Sequence, residues 1–391
     1  MRSLFAETLR RLLLERGWSQ NRLAAAIPCN KGHLSKLING RQKPSEGVAQ
    51  RCDELLNARG DLIGAAHLDI AAARDLRPNE TVELLQRIRA TDTSSTTIEA
   101  LRSTVEDLCC QYATTDPTQL RAEGHRWLRE VARMIKQPVG LQAHRELLVN
   151  AGWLALLIGC VEYDLGMRAS AEATRIMASN LGVEAGAPEI HGWALEMKAW
   201  IALTQGRYPD VLSAVAEGRH LAAGHNVAVQ LIGQEAKALG RLGDVQGVRR
   251  ALDEGAEILE RFEAPSRSDN HFAIDLPKWQ FYAMDAYSQA QDYDLATQYA
   301  GEVIKFGTTP NGIEISPMRN QEARLVLAIT AARKGELDQA IEQADQVFTS
   351  ERKSLPSLLM VAGELSGELQ QRFPEESATK DFQERLRALA G

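Results

Sequence analysis

The residues of this 391-residue chain whose types and spacing could do chemistry fall into two groups. Lys31, Gly32, His33, Ser35 and Lys36 lie close together, with Gln20 ahead of them and Arg41 and Lys43 just behind. Lysine, arginine and glutamine donate to phosphate oxygens, lysine can also donate to guanine O6 and N7, and serine reads ambiguously. The second group is spread more widely. Trp153, Tyr163, Trp193, Glu196, Trp200, Lys237, Arg241, Lys278, Phe281 and Asp285 mix rigid aromatics with both signs of charge, as ligand-binding faces do. An aromatic stripe at helical spacing is also what a plain core looks like.

Catalytic signatures are missing. The chain has no GxxxxGK[ST], GxGxxG or GxSxG run, and none of His67, His125, His144, His191, His220, His225 and His271 stands in an HExxH pattern. No enzyme activity, cofactor or metal is therefore expected. Cys29, Cys52, Cys109, Cys110 and Cys160 are odd in number and lack CxxC spacing, which fits a reducing, cytoplasmic setting rather than a disulfide framework. The longest uncharged apolar run, residues 151–161, is shorter than the ~20 residues of a membrane span. Charges at Arg10, Arg11, Glu15 and Arg16 interrupt the N-terminal apolar stretch, so neither a membrane span nor a signal peptide is expected.

Charge divides unevenly. The net value is −7, but residues 1–57 carry ten Lys/Arg against five Asp/Glu, leaving that segment at +5 and the remainder at −12. A basic head on an acidic body points to a polyanion at the head, provided a motif sits there.

The elements that position the first group are short helices. Phe5, Leu9, Leu12 and Leu13 share one face, and Gly17 can stop that helix in the left-handed region. Ser19 is a natural N-cap for a second helix to Ile27, with Leu23, Ala24 and Ile27 inward. Pro28-Cys29 makes a turn, and Asn30 caps a third helix, residues 31–38, with Leu34 and Leu37 inward and Asn39-Gly40 closing it. Ser45 caps a fourth, carrying Val48, Cys52, Leu55 and Leu56, and a further helix follows Asp61.

Across residues 19–44 this order resembles the Cro/C1-type, xenobiotic-response-element (XRE) helix-turn-helix. The resemblance rests on Ser19-Gln20, Leu23-Ala24, residues 30–37 and the closing Gly40 to Pro44. It implies a lambda-repressor-like DNA-binding domain. Gln20, Asn30, Lys31, Gly32, His33, Ser35, Lys36, Arg41 and Lys43 would be its contact residues, and the partner a double-stranded DNA operator read by a homodimer. Two positions depart from the family: Pro28-Cys29 in the turn, and Ile38 where glutamate is common.

Beyond residue 98 helix follows helix. Glycine or polar turns at 166, 206, 243, 291 and 335 recur in steps of 40, 37, 48 and 44, each between small residues such as Gly159 and Ala171, or Ala328 and Ala340. This resembles the tetratricopeptide repeat with longer helices or loops than its ~34-residue unit. Residues 270–293 are also similar to the C-terminal half of long actinobacterial regulators that join the two modules. The expected organisation is all-α: a DNA-binding domain over 1–75, a linker over 76–97, and a repeat solenoid over 98–391 for sensing and dimerisation. In that resemblance the second residue group lines the concave face and takes a peptide or small-molecule effector. The competing expectation is a repeat scaffold that recruits a partner protein.

Overall fold

A computed structural model describes residues 3–27, 31–74, 95–137 and 139–390. The described residues are helical throughout, without a strand; an isolated antiparallel bridge joins Thr308 to Glu314. The chain divides into two compact units, residues 1–91 and 92–391.

In the first unit, α1 (Leu4–Glu15), α2 (Gln20–Ala26), α3 (Lys31–Ile38), α4 (Glu46–Leu55) and α5 (Asp61–Arg74) surround one core. Phe5, Leu9, Leu23, Leu34, Leu37, Cys52 and Leu62 fill it. Asp69 of α5 fastens the start of α1, accepting from Ser3 Oγ and from the backbone N–H groups of Leu4 and Phe5. These N–H groups at a helix start have no partner within the helix, so a buried carboxylate there satisfies them and complements the helix dipole.

In the second unit, α6 (Ser95–Cys110) and α7 (Pro117–Ile135) lead into five helical hairpins. They are α8 (Leu141–Asp164) with α9 (Arg168–Glu184), α10 (Pro188–Thr204) with α11 (Tyr208–Leu221), and α12 (Val227–Arg241) with α13 (Val245–Leu259). The fourth is α14 (Leu276–Gln289) with α15 (Tyr293–Phe306), and the fifth α16 (Pro317–Lys334) with α17 (Leu337–Thr349). α18 (Leu355–Arg372) and α19 (Ser377–Ala390) follow. The helix at Ser95 takes the last residues of the expected linker; most of that linker lies outside the described residues.

All five expected turns close in one way. Gly166, Gly206, Gly243, Gln291 and Gly335 have φ of 75°, 71°, 78°, 63° and 87°. At each, two backbone bonds reach back into the preceding helix, as when Gly166 N–H donates to Tyr163 O and Met167 N–H to Glu162 O. This double closure ends a helix without orphaned carbonyls and needs a left-handed residue. The small residues flanking the turns are buried, among them Ala171, Ala199, Val211, Ala296 and Ala340. At Gly182, between α9 and α10, a Cβ would lie 2.9 Å from the backbone nitrogen of His191, which no side-chain rotation can relieve, so the close crossing there favours glycine.

α8 is the helix the apolar-run argument undercounts. Its length and composition would suffice to cross a membrane, but 83% of its most apolar stretch is buried inside the fold. Flanking charges such as Arg145 and Glu162 hid that length from a search for uncharged runs.

The repeats do not leave an open groove. α18 packs against α8 and α10 of the first two hairpins as well as against α16. Arg352, just ahead of α18, donates to Asp164 Oδ2 at 2.8 Å and to Tyr112 O at 3.1 and 3.2 Å, while Tyr112 Oη donates to the same carboxylate oxygen at 2.6 Å. Arg352 and Asp164 are both buried. Removing one partner of a buried pair strands the other, at ~3–5 kcal/mol. Arg352→Met should therefore lower stability to urea by about that amount, and Asp164→Asn added to it should restore part. A loss below ~1 kcal/mol would mean that this pair does not hold the repeats closed.

Candidate nucleic-acid interface and repeat chamber

α2 begins at Ser19, whose hydroxyl accepts from Arg22 N–H at 3.2 Å, so Gln20 is the first helical residue and is exposed. α3 buries Leu34, Leu37 and Ile38, and sets Gly32, Ser35 and Lys36 on the exposed side. Burial of Ile38 explains an apolar residue where glutamate is common. α3 ends with Gly40 at φ 66°, Gly40 N–H donating to Leu37 O and Arg41 N–H to Lys36 O. That closure turns the exposed Arg41 away at the helix end.

His33 is half-buried rather than fully solvated. Lys43 is exposed, yet its Nζ donates to Asp69 O at 2.7 Å, tying the loop to α5. Ser45 precedes α4 as expected but makes no capping bond with its side chain. Lys31 opens α3. Asn30 and the Pro28-Cys29 turn lie outside the described residues.

The family described as helix-turn-helix domain matches residues 4–66. Those residues form a helix-turn-helix DNA-binding domain. The match ends within α5 and does not reach the repeats. No curated protein matches the chain.

In the second unit the structure brings some of the expected face together and separates the rest. Glu196, Trp200, Lys237, Lys278 and Phe281 line one chamber with a cavity volume of about 120 Å³. Tyr163 is buried instead, its ring edge-on to Trp200 and its hydroxyl on Thr204 and Ile201 O. Trp193 is likewise core, edge-on to Phe272. Trp153 borders a second cavity with Cys109 and Phe272. Arg241 and Asp285 form a two-pronged pair at 2.6 and 2.9 Å, and Arg241 also meets Glu364 of α18 at 2.8 Å. These five residues separate because α18 and the 260–275 loop occupy what would be an open concave face.

Sequence reasoning missed Gln230, Gln234, Arg319 and Glu322, which also line the chamber. Their helical faces could have been extrapolated from Glu196 and Lys237. His271 and Phe272 lie in a loop inside the longest repeat step, where helical periodicity gives no signal.

Charge balance in the chamber is uneven. Lys237 stands 3.6 Å from Glu322 and 3.9 Å from Asp285, both buried. Burial pushes the Glu322 carboxyl up to about 7, with Lys237 opposing. Burial also raises the Glu196 carboxyl, offset by hydrogen bonds from Gln230 and Gln234, the latter at 2.7 Å. Burial lifts Glu364 as well, although Arg241 lies beside it. In the ion-pair cluster beside the chamber, Lys237 and Arg241 face three carboxylates, Asp285, Glu322 and Glu364, and this local excess of negative charge favours keeping a proton on Glu322. The folded chain holds the Glu322 proton at pH values where the unfolded chain has released it. The stability linked to it therefore falls as pH rises from the ordinary glutamate range to about 7. Glu322→Gln should flatten that fall in chemical denaturation between pH 5 and pH 8; an unchanged slope would show that the proton resides elsewhere.

Proposed function

We propose that this protein is a sequence-specific transcriptional regulator of the Cro/C1 (XRE) type, binding rather than catalytic. Its tetratricopeptide-like repeats, similar to those of actinobacterial regulators, would dimerise and sense an effector. The observation that carries the DNA-reading half is α3. Two buried leucines hold it down, and Ser35 and Lys36 stand exposed beside Gly32. Exposed Gln20 at the start of α2 and Arg41 just past α3 sit where a helix-turn-helix meets phosphates on either side of a recognition helix.

A homodimer fits this reading, because two copies can read two half-sites and a single small domain gives modest affinity. The enclosed chamber favours a small molecule over an extended peptide as effector. The same enclosure weighs against a scaffold, because α18 and the 260–275 loop fill the groove in which a recruited partner segment would lie. An effector acts only through differential affinity for the two states it distinguishes, so its binding must alter operator affinity.

Arg41→Ala should weaken binding to all DNA sequences alike and flatten the slope of log affinity against log salt by ~1. Lys36→Ala should cost ~1–3 kcal/mol on the operator and much less on random DNA. Fluorescence anisotropy against salt on both DNAs measures both effects. An unchanged slope for Arg41→Ala, with equal losses on both DNAs for Lys36→Ala, would overturn this assignment.

A further inference from the structure

Two cations in the chamber have no carboxylate in contact, although Asp275 acts on both from further off and Glu196 on Lys278. Lys278 Nζ donates to the backbone oxygens of His271 and Ala273 and lies 5.2 Å from the centroid of the Trp193 ring. Arg319 of α16 spends one N–H on Ser316 Oγ at 2.9 Å. Among the described residues, no carboxylate oxygen lies within 4 Å of either group. By contrast Lys237, Arg241, Arg333 and Arg352 each have one. The nearby carboxyl of Glu196 is held by Gln230 and Gln234.

A cation drawn out of water with no carboxylate in contact is costly. Burial, with the like charge of Arg319 second, brings the Lys278 ammonium down to about 7. Burial lowers Arg319 as well. The rest of the chamber supplies the other parts of a site. Trp200, Phe281 and Tyr282 give flat apolar walls. Gln230 Oε1 and Gln234 Oε1 are buried acceptors with no hydrogen-bond partner. Few polar groups converging within an apolar enclosure make a small-molecule site.

We propose that the chamber binds a small organic anion with a flat apolar body, its anionic group seated between Lys278 and Arg319 and its donor groups facing Gln230 and Gln234. The anion supplies a counter-charge in direct contact. Arg319 offers a planar fork for a carboxylate or phosphate and Lys278 a point charge. This names the effector class for the sensing role proposed above and rests on that role only for its consequence at DNA.

The test uses the full chain with two probes, benzoate and inorganic phosphate, against chloride at matched ionic strength. Thermal melting should rise with the concentration of at least one probe, and the probe that works distinguishes a carboxylate from a phosphate site. Charge-assisted hydrogen bonds of ~1.5–3 kcal/mol correspond to about ten-fold or more in affinity. Arg319→Gln and Lys278→Met should each weaken the effect by that factor. Arg319→Gln removes a half-buried cation with no carboxylate in contact and should not melt below the wild type in chloride, whereas Lys278→Met also gives up the bonds to His271 O and Ala273 O, so each variant is read against its own melting in chloride. The proposal is overturned if neither probe exceeds chloride on the wild type, or if the response survives undiminished in both variants. Operator affinity measured with and without the active probe separates the two claims. Anion binding that leaves DNA affinity unchanged keeps the site and removes its sensing role.

Discussion

The second unit depends on one buried constraint: the charge of Arg352 must meet the charge of Asp164. The two side chains stand 188 residues apart in sequence, at opposite ends of the repeat series. Burial pushes the Asp164 carboxyl up, and the guanidinium together with the Tyr112 hydroxyl offsets part of that. Each partner is costly alone in a low-dielectric interior, so the pair selects arrangements that bring the last hairpin back to the first. α18 then crosses the inner face. Trp200 Nε1 donates to Ser357 Oγ at 2.8 Å, and Glu364 meets Arg241 and Gln289. An inner face that would otherwise be an open groove becomes a chamber.

Much of the architecture was legible because it is local. A left-handed residue at the end of a helix leaves a sequence mark, usually glycine. Gln291 is the instructive exception, read from its place in the repeat rather than from its type. Helical periodicity likewise separated buried Leu34 and Leu37 from exposed Ser35 and Lys36. What could not be read is long-range. Nothing near Lys43 announces that its ammonium meets the backbone of Asp69. Nothing near Trp193 or Tyr163 distinguishes a core ring from a ligand-facing one.

The candidate effector face shows the same division. Extrapolating one helical face through the hairpins found five chamber residues, because repeats place equivalent positions side by side. It also swept in Arg241 and Asp285, whose charges are satisfied by each other and by Glu364. Charge type identifies candidates, but whether a charge is available depends on the partner that the fold brings to it. Lys278 and Arg319 differ from Arg241 in having no carboxylate in contact, although all three are cations on the inner helices.

The basic head and the acidic body obey different electrostatics. At the head, exposed cations stay solvated and can exchange water and counterions for phosphates. In the body, the inner charges Lys237, Arg241 and Arg352 are paired with carboxylates away from water, and these pairs fix shape. The proposed DNA reading places α3 against base edges in the major groove, where N7 of guanine is presented. The most direct measurement is methylation interference at guanine N7 on an operator recovered from bound genomic fragments. N7 methylation within the operator should block binding of the wild type, and at least one such position should become indifferent in Lys36→Ala. Binding unaffected by N7 methylation anywhere in the operator would contradict it.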